Sequence, residues 1–380
     1  MAKYRLGDIA PVCQGMVADS NQCWLLNLDV VESNTGKILE YVYVDHSQIG
    51  ASTVSFDKMN VLYSKLRPYL NKVVLPDRAG YATSEMLPLR PNEQVITREY
   101  LTYFLRSPHF VKYINGKTSG AKMPRANIAD LKAVEIECPS IMEQNRITTQ
   151  FDLITRVIEK RQKELSTFDN LIKARFVEMF GDPISNPKHW KMVELGTLTK
   201  VGSSKRIFEK EYVPEGVPFY RTKEIVELSK GNQISTELFI TRERFDEIKR
   251  QYGAPKAGDL LISAVGTIGV IWIVDGKNDF YFKDGNLIRV DGSDKFDSLY
   301  MKSVLENLIS EHKKQMSSGT AYAALTISGL SKMKVYDVPM DIQKKFATFV
   351  SQVDKSKAQV QKSLNETQLL FDSLMQKYFG

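Results

Sequence analysis

The sequence predicts an α+β protein made of two tandem copies of one unit, each copy ending in a long helix. Three observations lead to this fold class. The chain has 380 residues, which is more than one compact domain usually holds. The sequence repeats itself in one register. Two long stretches without Pro or Gly carry a heptad pattern of apolar residues.

The repeat has an offset of 199 residues over most of the chain. The coinciding pairs include Leu62 and Leu261, Ser64 and Ser263, Arg90 and Arg289, Gln144 and Gln343, Leu171 and Leu370, and Phe180 and Phe379. Near the start the offset is 189, since Leu6 recurs as Leu195, so the second copy contains about ten extra residues between Leu195 and Leu261. One register that holds over so much of the chain indicates a duplicated unit.

Each copy begins with a region that favours strands. The predicted strands are Val61–Leu66, Lys72–Leu75 and Met86–Leu89 in the first copy, and Asp259–Val265, Val270–Val274 and Phe280–Phe282 in the second. The dipeptides Asp275-Gly276 and Asp284-Gly285 favour β-hairpin turns between apolar runs. Short helices are predicted at Arg98–Arg106 and Ser298–Gln315, followed by loops of small residues at 118–121 and 317–320.

The long helices close each copy. Ser140 and Glu143 form a capping-box pattern directly after Pro139, and we expect Asp341 to cap the second helix. At about 1.5 Å per residue each helix is roughly 55 Å long. One narrow apolar stripe on so long a helix favours a two-helix rod over a core helix of a large domain. The expected contact residues of the rod are Phe151, Ile158, Leu165, Ile172, Val353, Val360, Leu364 and Phe371.

The composition allows a folded chain with a polyanionic partner. The chain is 43% hydrophobic and 26% charged, so it can bury a core. Its formal net charge of +7 divides into +3 for residues 1–190 and +4 for residues 191–380. Any nucleic-acid surface should therefore be a patch on each copy.

Several other classes of protein are excluded by the same inspection. The N-terminal sequence lacks the apolar run of a signal peptide, and the longest apolar stretch, residues 260–274, is too short and interrupted to span a bilayer. Three cysteines and four histidines are scattered without zinc-ligand spacing. We therefore expect a cytoplasmic chain that holds no metal and contacts no membrane.

The motifs of common nucleic-acid enzymes are absent or incomplete. Gly116-Lys117-Thr118 matches the end of a phosphate-binding loop, but Val111 stands where that loop needs glycine. The sequence contains no Gly-x-Gly-x-x-Gly fingerprint, no Asn/Asp-Pro-Pro-aromatic tetrad and no nucleophile elbow. Glu247 and Lys249 match the tail of a nuclease motif, but a solvated helix face explains them better. The sequence predicts a non-catalytic protein.

Loops at matched positions carry residue types that suit DNA contact. Residues 64–72 are basic, and residues 263–269 combine glycines, which permit close backbone approach, with hydroxyl groups. A second pair of loops spans 117–125 and 317–322. Ordinary turn chemistry is the alternative for any single residue, but recurrence at matched positions favours DNA contact. The candidate DNA-binding residues are Ser64, Lys65, Arg67, Tyr69, Asn71, Lys72, Lys117, Ser119, Lys122, Arg125, Thr222, Lys223, Ser263, Thr267, Ser318, Thr320 and Tyr322.

In their order, these motifs resemble the specificity (S) subunits of type I restriction–modification systems. Tyr4-Arg-Leu-Gly-Asp-Ile9 and Leu195-Gly196 are similar to the opening motif of each half. Residues 61–72 and 259–269 look like the target-domain signatures of the family. Pro139 with Glu143-Gln144 looks like the entry to its helical spacer, and residues 179–183 look like the exit. The likeness covers essentially the whole chain, twice over.

The resemblance implies two target-recognition domains, residues 1–139 and 182–339, related by a pseudo-two-fold axis. Two antiparallel coiled-coil helices, residues 140–181 and 340–380, would separate them. Each domain would recognise one half of a bipartite double-stranded DNA site, and the helices would set the gap. The implied partners are two methyltransferase subunits and the restriction/translocase subunits. S-adenosylmethionine, ATP and magnesium would belong to those partners, and this chain would hold no cofactor.

Two other functions stay open. A paralogous scaffold or adaptor protein could use the coiled coil for protein contacts without recognising DNA. A stand-alone enzyme could have a site without a known motif. Removal of Lys65, Arg67 and Lys122 separates DNA recognition from the scaffold, because phosphate contacts make DNA affinity depend on salt.

Overall fold

In the computed structural model the chain forms two compact units, each with its own sheets and core. The structure describes residues 2–18, 20–120, 122–317 and 325–380, without the side chains of 314–317. Unit 1 comprises Met1–Gln162 together with Ser363–Gly380, and unit 2 comprises Lys163–Lys362. The α+β class and the duplication predicted from the sequence are confirmed.

The described part of unit 1 begins with a strand and alternates short strands with short helices. Its strands are β1 Ala2–Arg5, β2 Gln22–Leu26, β3 Tyr43–Asp45, β4 Thr53–Phe56, β5 Val61–Ser64, β6 Val73–Val74, β7 Gly80–Thr83, β8 Met86–Leu89, β9 Thr118–Ser119, β10 Arg125–Ala126 and β11 Glu135–Cys138. Its short helices are α1 Leu6–Ile9, α2 Arg98–Arg106, α3 Pro108–Asn115 and α4 Ile128–Lys132. The helix α5, Ile141–Phe180, starts in unit 1 and ends in unit 2.

Two small sheets form the centre of unit 1. One has the strand order β3-β2-β7-β4, in which β2 and β7 run parallel, and the other has the order β6-β5-β8. All four residues of β5 are buried, as expected for a central strand that is covered on both faces. In addition, β1 pairs with β11 in antiparallel register, with Ala2 opposite Cys138. This last pair brings the start of the unit next to the segment that leads into α5.

Unit 2 repeats this plan with different lengths. Its described strands are β12 Met192–Glu194, β13 Val201–Gly202, β14 Val217–Tyr220, β15 Phe239–Ile240, β16 Leu260–Ser263, β17 Ile271–Ile273, β18 Tyr281–Phe282, β19 Leu287–Val290 and β20 Lys334–Tyr336. Its helices are α6 Leu195–Leu198, α7 Thr222–Ser229, α8 Arg242–Tyr252, α9 Ser298–Ser317 and α10 Ile327–Ser331. The strand orders are β13-β19-β16-β17 and β15-β14-β18, with β14 parallel to β18, and β12 pairs with β20. The helix α11, Met340–Phe379, starts in unit 2 and ends in unit 1.

Each long helix has a buried glutamine in its first turn, and the two glutamines occupy matched positions in the repeat. The Gln144 amide accepts a hydrogen bond from the Thr97 backbone N–H at 2.9 Å and donates to the Pro139 carbonyl at 2.9 Å. The Gln343 amide accepts from the Asp297 N–H at 2.9 Å in the same way. Each glutamine ties its helix to the globular part of its own unit.

Each unit also packs the beginning of one long helix against the end of the other. In unit 1 the ring of Phe151, on α5, lies 5.3 Å from that of Phe371, on α11. In unit 2 the ring of Phe176, on α5, lies 5.7 Å from that of Phe346, on α11. The pairing is therefore antiparallel within each unit, with aromatic residues at the globular ends.

Three local predictions were wrong. Asp275-Gly276 and Asp284-Gly285 are not hairpin turns, because the strands on either side of each dipeptide belong to different sheets. Asp341 does not cap α11, since that helix begins one residue earlier. The capping box at α5 is only half formed: Ser140 Oγ accepts from the Glu143 N–H at 3.3 Å, but the Glu143 carboxylate binds Arg146 instead.

Candidate nucleic-acid interface

In unit 1 the two loops predicted to contact DNA are held together beyond the end of β5. The Lys65 N–H donates to the Glu85 carbonyl at 2.9 Å, and the Lys65 carbonyl accepts from the Ala126 N–H at 2.8 Å. The Arg67 N–H donates to the Pro124 carbonyl at 2.7 Å. Residues 64–72, 84–85, 117–120 and 122–126 thus form one surface, which we call the unit 1 junction.

Three polar side chains of the first loop hold its shape rather than face solvent. Ser64 is buried and donates to the Leu66 carbonyl at 3.0 Å. The Asn71 amide donates to the Arg106 carbonyl at 3.0 Å, and the Lys72 ammonium donates to the Leu28 carbonyl. Burial lowers the pKa of Lys72, although the nearby Asp29 carboxylate opposes this.

The outward-facing side chains of this loop are Lys65, Arg67 and Tyr69. Arg67 and Tyr69 are exposed, and Lys65 is half-buried. Arg67 has a left-handed backbone with φ of 48°, which is uncommon for a residue with a side chain. Within the described chain, no ion pair engages Lys65 or Arg67, so both cations are free for an anionic partner.

In the second loop the charges are partly used within the protein. The Arg125 guanidinium lies 2.9 Å from the Glu85 carboxylate, which raises the pKa of Arg125. Lys117 lies 4.0 Å from Asp130. Ser119 pairs with Arg125 through β9 and β10. Lys122 is exposed and forms no ion pair with any described residue, so it is the free cation of this loop.

Unit 2 forms a junction with the same backbone connections. The Ala264 N–H donates to the Asn286 carbonyl at 2.8 Å, and the Ala264 carbonyl accepts from the Leu325 N–H at 3.1 Å. Ala264 and Leu325 stand 199 residues after Lys65 and Ala126, whereas Asn286 stands 201 residues after Glu85. Residues 263–269, 283–286 and Leu325 form the unit 2 junction. Ser318, Thr320 and Tyr322 lie outside the described residues.

The glycine loop of unit 2 is shaped by its own hydrogen bonds. The buried Ser263 hydroxyl accepts from the Val270 N–H at 2.9 Å and donates to the Thr267 carbonyl. Gly269 has φ of 82°, and a Cβ there would lie 2.7 Å from Ile309 Cγ2. Glycine is therefore required at this position. Residues 265–267 are exposed, so Thr267 is available for contact.

Thr222 and Lys223 lie beside the unit 2 junction because β14 and β18 run parallel and end together. Tyr220, at the end of β14, accepts at its carbonyl from the Lys283 N–H at 2.9 Å. Lys223 is exposed. The buried Thr222 hydroxyl has no hydrogen-bond partner among the described residues. Thr222 and Lys223 therefore lie near residues 283–286.

The segment 203–208, which was not among the predicted loops, also adjoins the unit 2 junction. Its Arg206 guanidinium lies 2.8 Å from the Asp284 carboxylate, and the Lys205 N–H donates to the Tyr281 hydroxyl at 2.7 Å. The signal was present in the run Ser-Ser-Lys-Arg, which combines hydroxyl and basic residues. Proximity to Asp284 depends on the tertiary fold and leaves no trace in the local sequence.

The expected rod residues are divided between the two units. Those in unit 1 are Phe151, Ile158, Leu364 and Phe371, and those in unit 2 are Leu165, Ile172, Val353 and Val360; all eight are buried or half-buried. Two polar contacts cross between the helices. In unit 1 the Arg161 guanidinium donates to the Ser363 carbonyl and the Thr367 hydroxyl. In unit 2 the Lys357 ammonium pairs with Asp169.

Among the residues that the structure describes, no group of three or more His, Cys, Asp and Glu side chains could hold a metal ion. No helix in the same part of the chain is long and apolar enough to cross a membrane.

The sequence matches a family model described as type I restriction modification DNA specificity domain, over residues 1–167 and again over 187–367. A Haemophilus influenzae protein with the provisional name of a type I restriction enzyme specificity subunit is 26% identical over 267 residues, 69% of this chain. The type I restriction enzyme MjaIX specificity subunit of Methanocaldococcus jannaschii is 23% identical over 374 residues, 89% of this chain. The chain spans 66% and 82% of the length of these relatives.

Two solved structures share the fold across the whole chain. One, from a study of complex assembly and conformational transition of the type I restriction–modification system, has a TM-score of 0.58 with 18% identity and 97% of that chain covered. The other is the S subunit of a type I system from M. genitalium, with a TM-score of 0.58, 16% identity and 96% of that chain covered. At these identities the likeness concerns the fold.

Proposed function

The chain belongs to the family of type I restriction modification DNA specificity domains, and from this membership we propose that it is the DNA-recognition subunit of a type I restriction–modification complex. It is the non-catalytic component, and each unit recognises one half of a bipartite DNA site. The observation that carries the proposal is the junction that both units form from matched loops. A duplicated recognition surface suits a split site, since each copy can occupy one half.

The two half-sites should differ because the two junctions offer different chemistry. In unit 1 we assign direct contacts to Lys65, Arg67, Tyr69 and Lys122, whose side chains are long, cationic or aromatic. In unit 2 the loop around Thr267 offers hydroxyl and backbone groups instead. Long cations suit guanine edges and phosphates, whereas backbone N–H and hydroxyl groups suit close approach to phosphates. This contrast supports an asymmetric target.

We further propose target-recognition domains at residues 1–139 and 182–339, with helical spacers at 140–181 and 340–380. The starts of α5 at Ile141 and α11 at Met340 support these limits. As spacers, the helices set the gap between the half-sites. At about 1.5 Å per residue, 40 residues extend roughly 60 Å, or about eighteen base-pair steps of ~3.4 Å.

The long helices are also the proposed docking surfaces for two methyltransferase subunits. Leu171 on α5 and Leu370 on α11 occupy matched positions in the repeat and are 45% and 51% exposed. A large apolar side chain exposed on a helix at equivalent places in both copies supports docking of two identical partners. Restriction/translocase subunits join through that complex.

Cofactors and location follow from this assignment. S-adenosylmethionine, ATP and magnesium serve the partner subunits, where methyl transfer and translocation take place, and this chain contributes none of their ligands. We place the chain in the cytoplasm, where chromosomal DNA is available to it.

Mapping of methylated adenines at base resolution tests the proposed function. The gene for the chain is deleted from cells that retain the partner subunits and is then restored. We expect a split methylation motif that disappears on deletion and returns with the gene. An unchanged motif in the deleted cells would refute DNA recognition. Complex assembly without any change in methylation would favour the scaffold instead.

A further inference from the structure

Phe208 is the most exposed of the phenylalanine and tryptophan side chains of the chain. It is 57% exposed, whereas none of the other phenylalanine or tryptophan side chains, all of which the structure describes, is classed as exposed. Apolar surface left in water carries a free-energy cost that burial against a partner removes. An exposed phenylalanine on a fixed segment therefore calls for a binding partner more strongly than a scattered aliphatic residue does.

The backbone around Phe208 is held on both sides. Ile207, directly before it, is 6% exposed and packs with Phe245 of α8. The Phe208 N–H donates to the Glu211 carboxylate at 2.8 Å, and that carboxylate also lies 2.8 Å from the Arg244 guanidinium. These anchors keep the side chain pointing into solvent without a rearrangement of the loop. A preorganised group of this kind loses little conformational entropy on binding.

The segment that carries Phe208 adjoins the unit 2 junction. Arg206, two residues earlier, pairs with Asp284, which lies in the turn that belongs to the junction. Burial together with the carboxylates Glu209 and Asp284 raises the pKa of the Tyr212 phenol, while Arg221 lowers it. Charged groups of the Phe208 segment, of the turn that contains Asp284 and of the start of α7 therefore all act on the Tyr212 phenol.

The charges beside Phe208 suit a nucleic acid. Lys205, Arg206 and Lys210 are exposed within three residues of it. Lys210 forms no ion pair with a described residue, and Lys205 lies over the Tyr252 ring at 5.2 Å. Cations around an aromatic side chain are typical of surfaces that hold phosphates and stack on bases. Of the two acids closest to Phe208, Glu209 is exposed, and the Glu211 carboxylate is paired with Arg244.

We propose that Phe208 is an aromatic wedge that inserts beside the bases of the half-site recognised by unit 2. The wedge unstacks one base step and thereby contributes to affinity and to the shape of the bound DNA. This inference rests on the proposed function and adds a recognition residue that lies outside the two predicted loops. A protein partner is the competing occupant, and the experiment below separates the two.

The test uses the complex of this chain with its methyltransferase subunits and a duplex that carries the mapped methylation motif. 2-Aminopurine replaces adenines of the unit 2 half-site one at a time, excluding the methylated adenine. We expect its fluorescence to rise on binding of the wild-type complex at one position. Phe208→Ala should abolish this rise and weaken binding roughly tenfold, as expected for loss of one stacked base. Phe208→Trp should retain both effects.

Ile184→Ala is the matched control, since Ile184 is a similarly exposed apolar residue of unit 2, at 56%, outside the junction. It should change neither readout. Unchanged fluorescence and affinity for Phe208→Ala would overturn the wedge. So would a Phe208→Ala chain that fails to assemble with the methyltransferase subunits but still binds the duplex. Absence of sequence-specific binding by the wild-type complex would instead refute the proposed function itself.

Discussion

Arg67 combines an unfavourable backbone conformation with an unpaired charge. Its left-handed φ of 48° is stabilised by the hydrogen bond from its N–H to the Pro124 carbonyl. Left-handed residues other than glycine cost free energy and are enriched at functional sites. The exposed guanidinium therefore fits a contact to DNA rather than to the protein.

We predict that Arg67→Ala weakens DNA binding by the assembled complex and lowers the slope of log K against log salt by about 1, because one phosphate or guanine contact is lost. Binding measured by fluorescence anisotropy at several salt concentrations checks this. Lys58→Ala is the control, since Lys58 is also exposed but precedes β5, at the end away from Lys65. Equal effects of the two variants would contradict the assignment of Arg67.

Asp259 in the second copy corresponds to Asn60 in the first, so one position of the repeat carries a carboxyl group in one copy and an amide in the other. At the matched position, Asn60 accepts from the Asp57 N–H at 3.0 Å, while Asp259 accepts from the Lys256 N–H at 3.0 Å. Both side chains are buried. Burial raises the pKa of Asp259, although hydrogen bonds from the Gly292 and Lys256 N–H groups oppose this.

The folded chain therefore holds the Asp259 proton more tightly than the unfolded chain does. Its contribution to the free energy of unfolding is largest in acid and declines as pH rises above the usual aspartate pKa of about 3.9. We predict that Asp259→Asn gains stability relative to wild type as pH rises from about 3.9, as measured by thermal unfolding.

Asp57→Asn serves as the control with the opposite sign. Burial of Asp57 is outweighed by hydrogen bonds from Arg90 and backbone N–H groups, so its pKa is lowered. The loss of stability in this variant should be greatest at neutral pH and should shrink in acid. If the stability of both variants relative to wild type changed with pH in the same direction, the opposite pKa shifts assigned to Asp259 and Asp57 would be contradicted.

At the scale of elements, the long helices are fixed by aromatic packing. Phe151 is fully buried and contacts the rings of Tyr103, Phe371 and Phe379. We predict that Phe151→Ala lowers the free energy of unfolding by about 3–5 kcal/mol because a cavity forms there. Leu153→Ala, two residues away and 55% exposed, should change it by less than about 0.5 kcal/mol. Urea denaturation of the full chain measures both, and similar midpoints would contradict the packing.

The matched leucines of the two helices give a second prediction at this scale. Leu171→Arg and Leu370→Arg should each reduce the number of bound methyltransferase subunits from two to about one, because a charge disrupts one apolar docking surface. Native mass spectrometry of the complex counts the subunits. Leu369→Arg is the control, since Leu369 is exposed but its counterpart on α5 is Asn170. Full stoichiometry in both leucine variants would exclude this docking surface.

Strands and helices were predictable where burial leaves a pattern in the sequence. The strands β5, β8 and β16 and the helix α2 lie within a few residues of their predicted limits, because apolar periodicity encodes them. The pairing of β18 was not predictable. A turn dipeptide such as Asp284-Gly285 reverses the chain locally but does not determine the sheet that receives the next strand. Arg161 was missed because a heptad pattern marks apolar positions and passes over a polar residue between them.

For the whole molecule, the repeat was the most informative feature of the sequence. It predicted the duplicated architecture, and the hydrogen bonds of Lys65 bring the two predicted loops of unit 1 together. Exposure could not be predicted in the same way, since Phe208 is as apolar in sequence as the buried Phe219. Which residues face outward depends on tertiary packing, so the recognition surface was only partly predictable.

The length of the two helices is itself testable as a property of the whole complex. Insertion of one heptad after Gln162 and another after Gln361 keeps the apolar stripe in phase, because seven residues restore the same helix face. The insertions lengthen each helix by about 10.5 Å, or roughly three base pairs. We predict a methylation motif with both half-sites unchanged and a gap about three base pairs longer. Insertion of four residues at the same points shifts the stripe out of phase and should abolish methylation. Methylation of the original motif by the heptad variant would show that the helices do not set the gap.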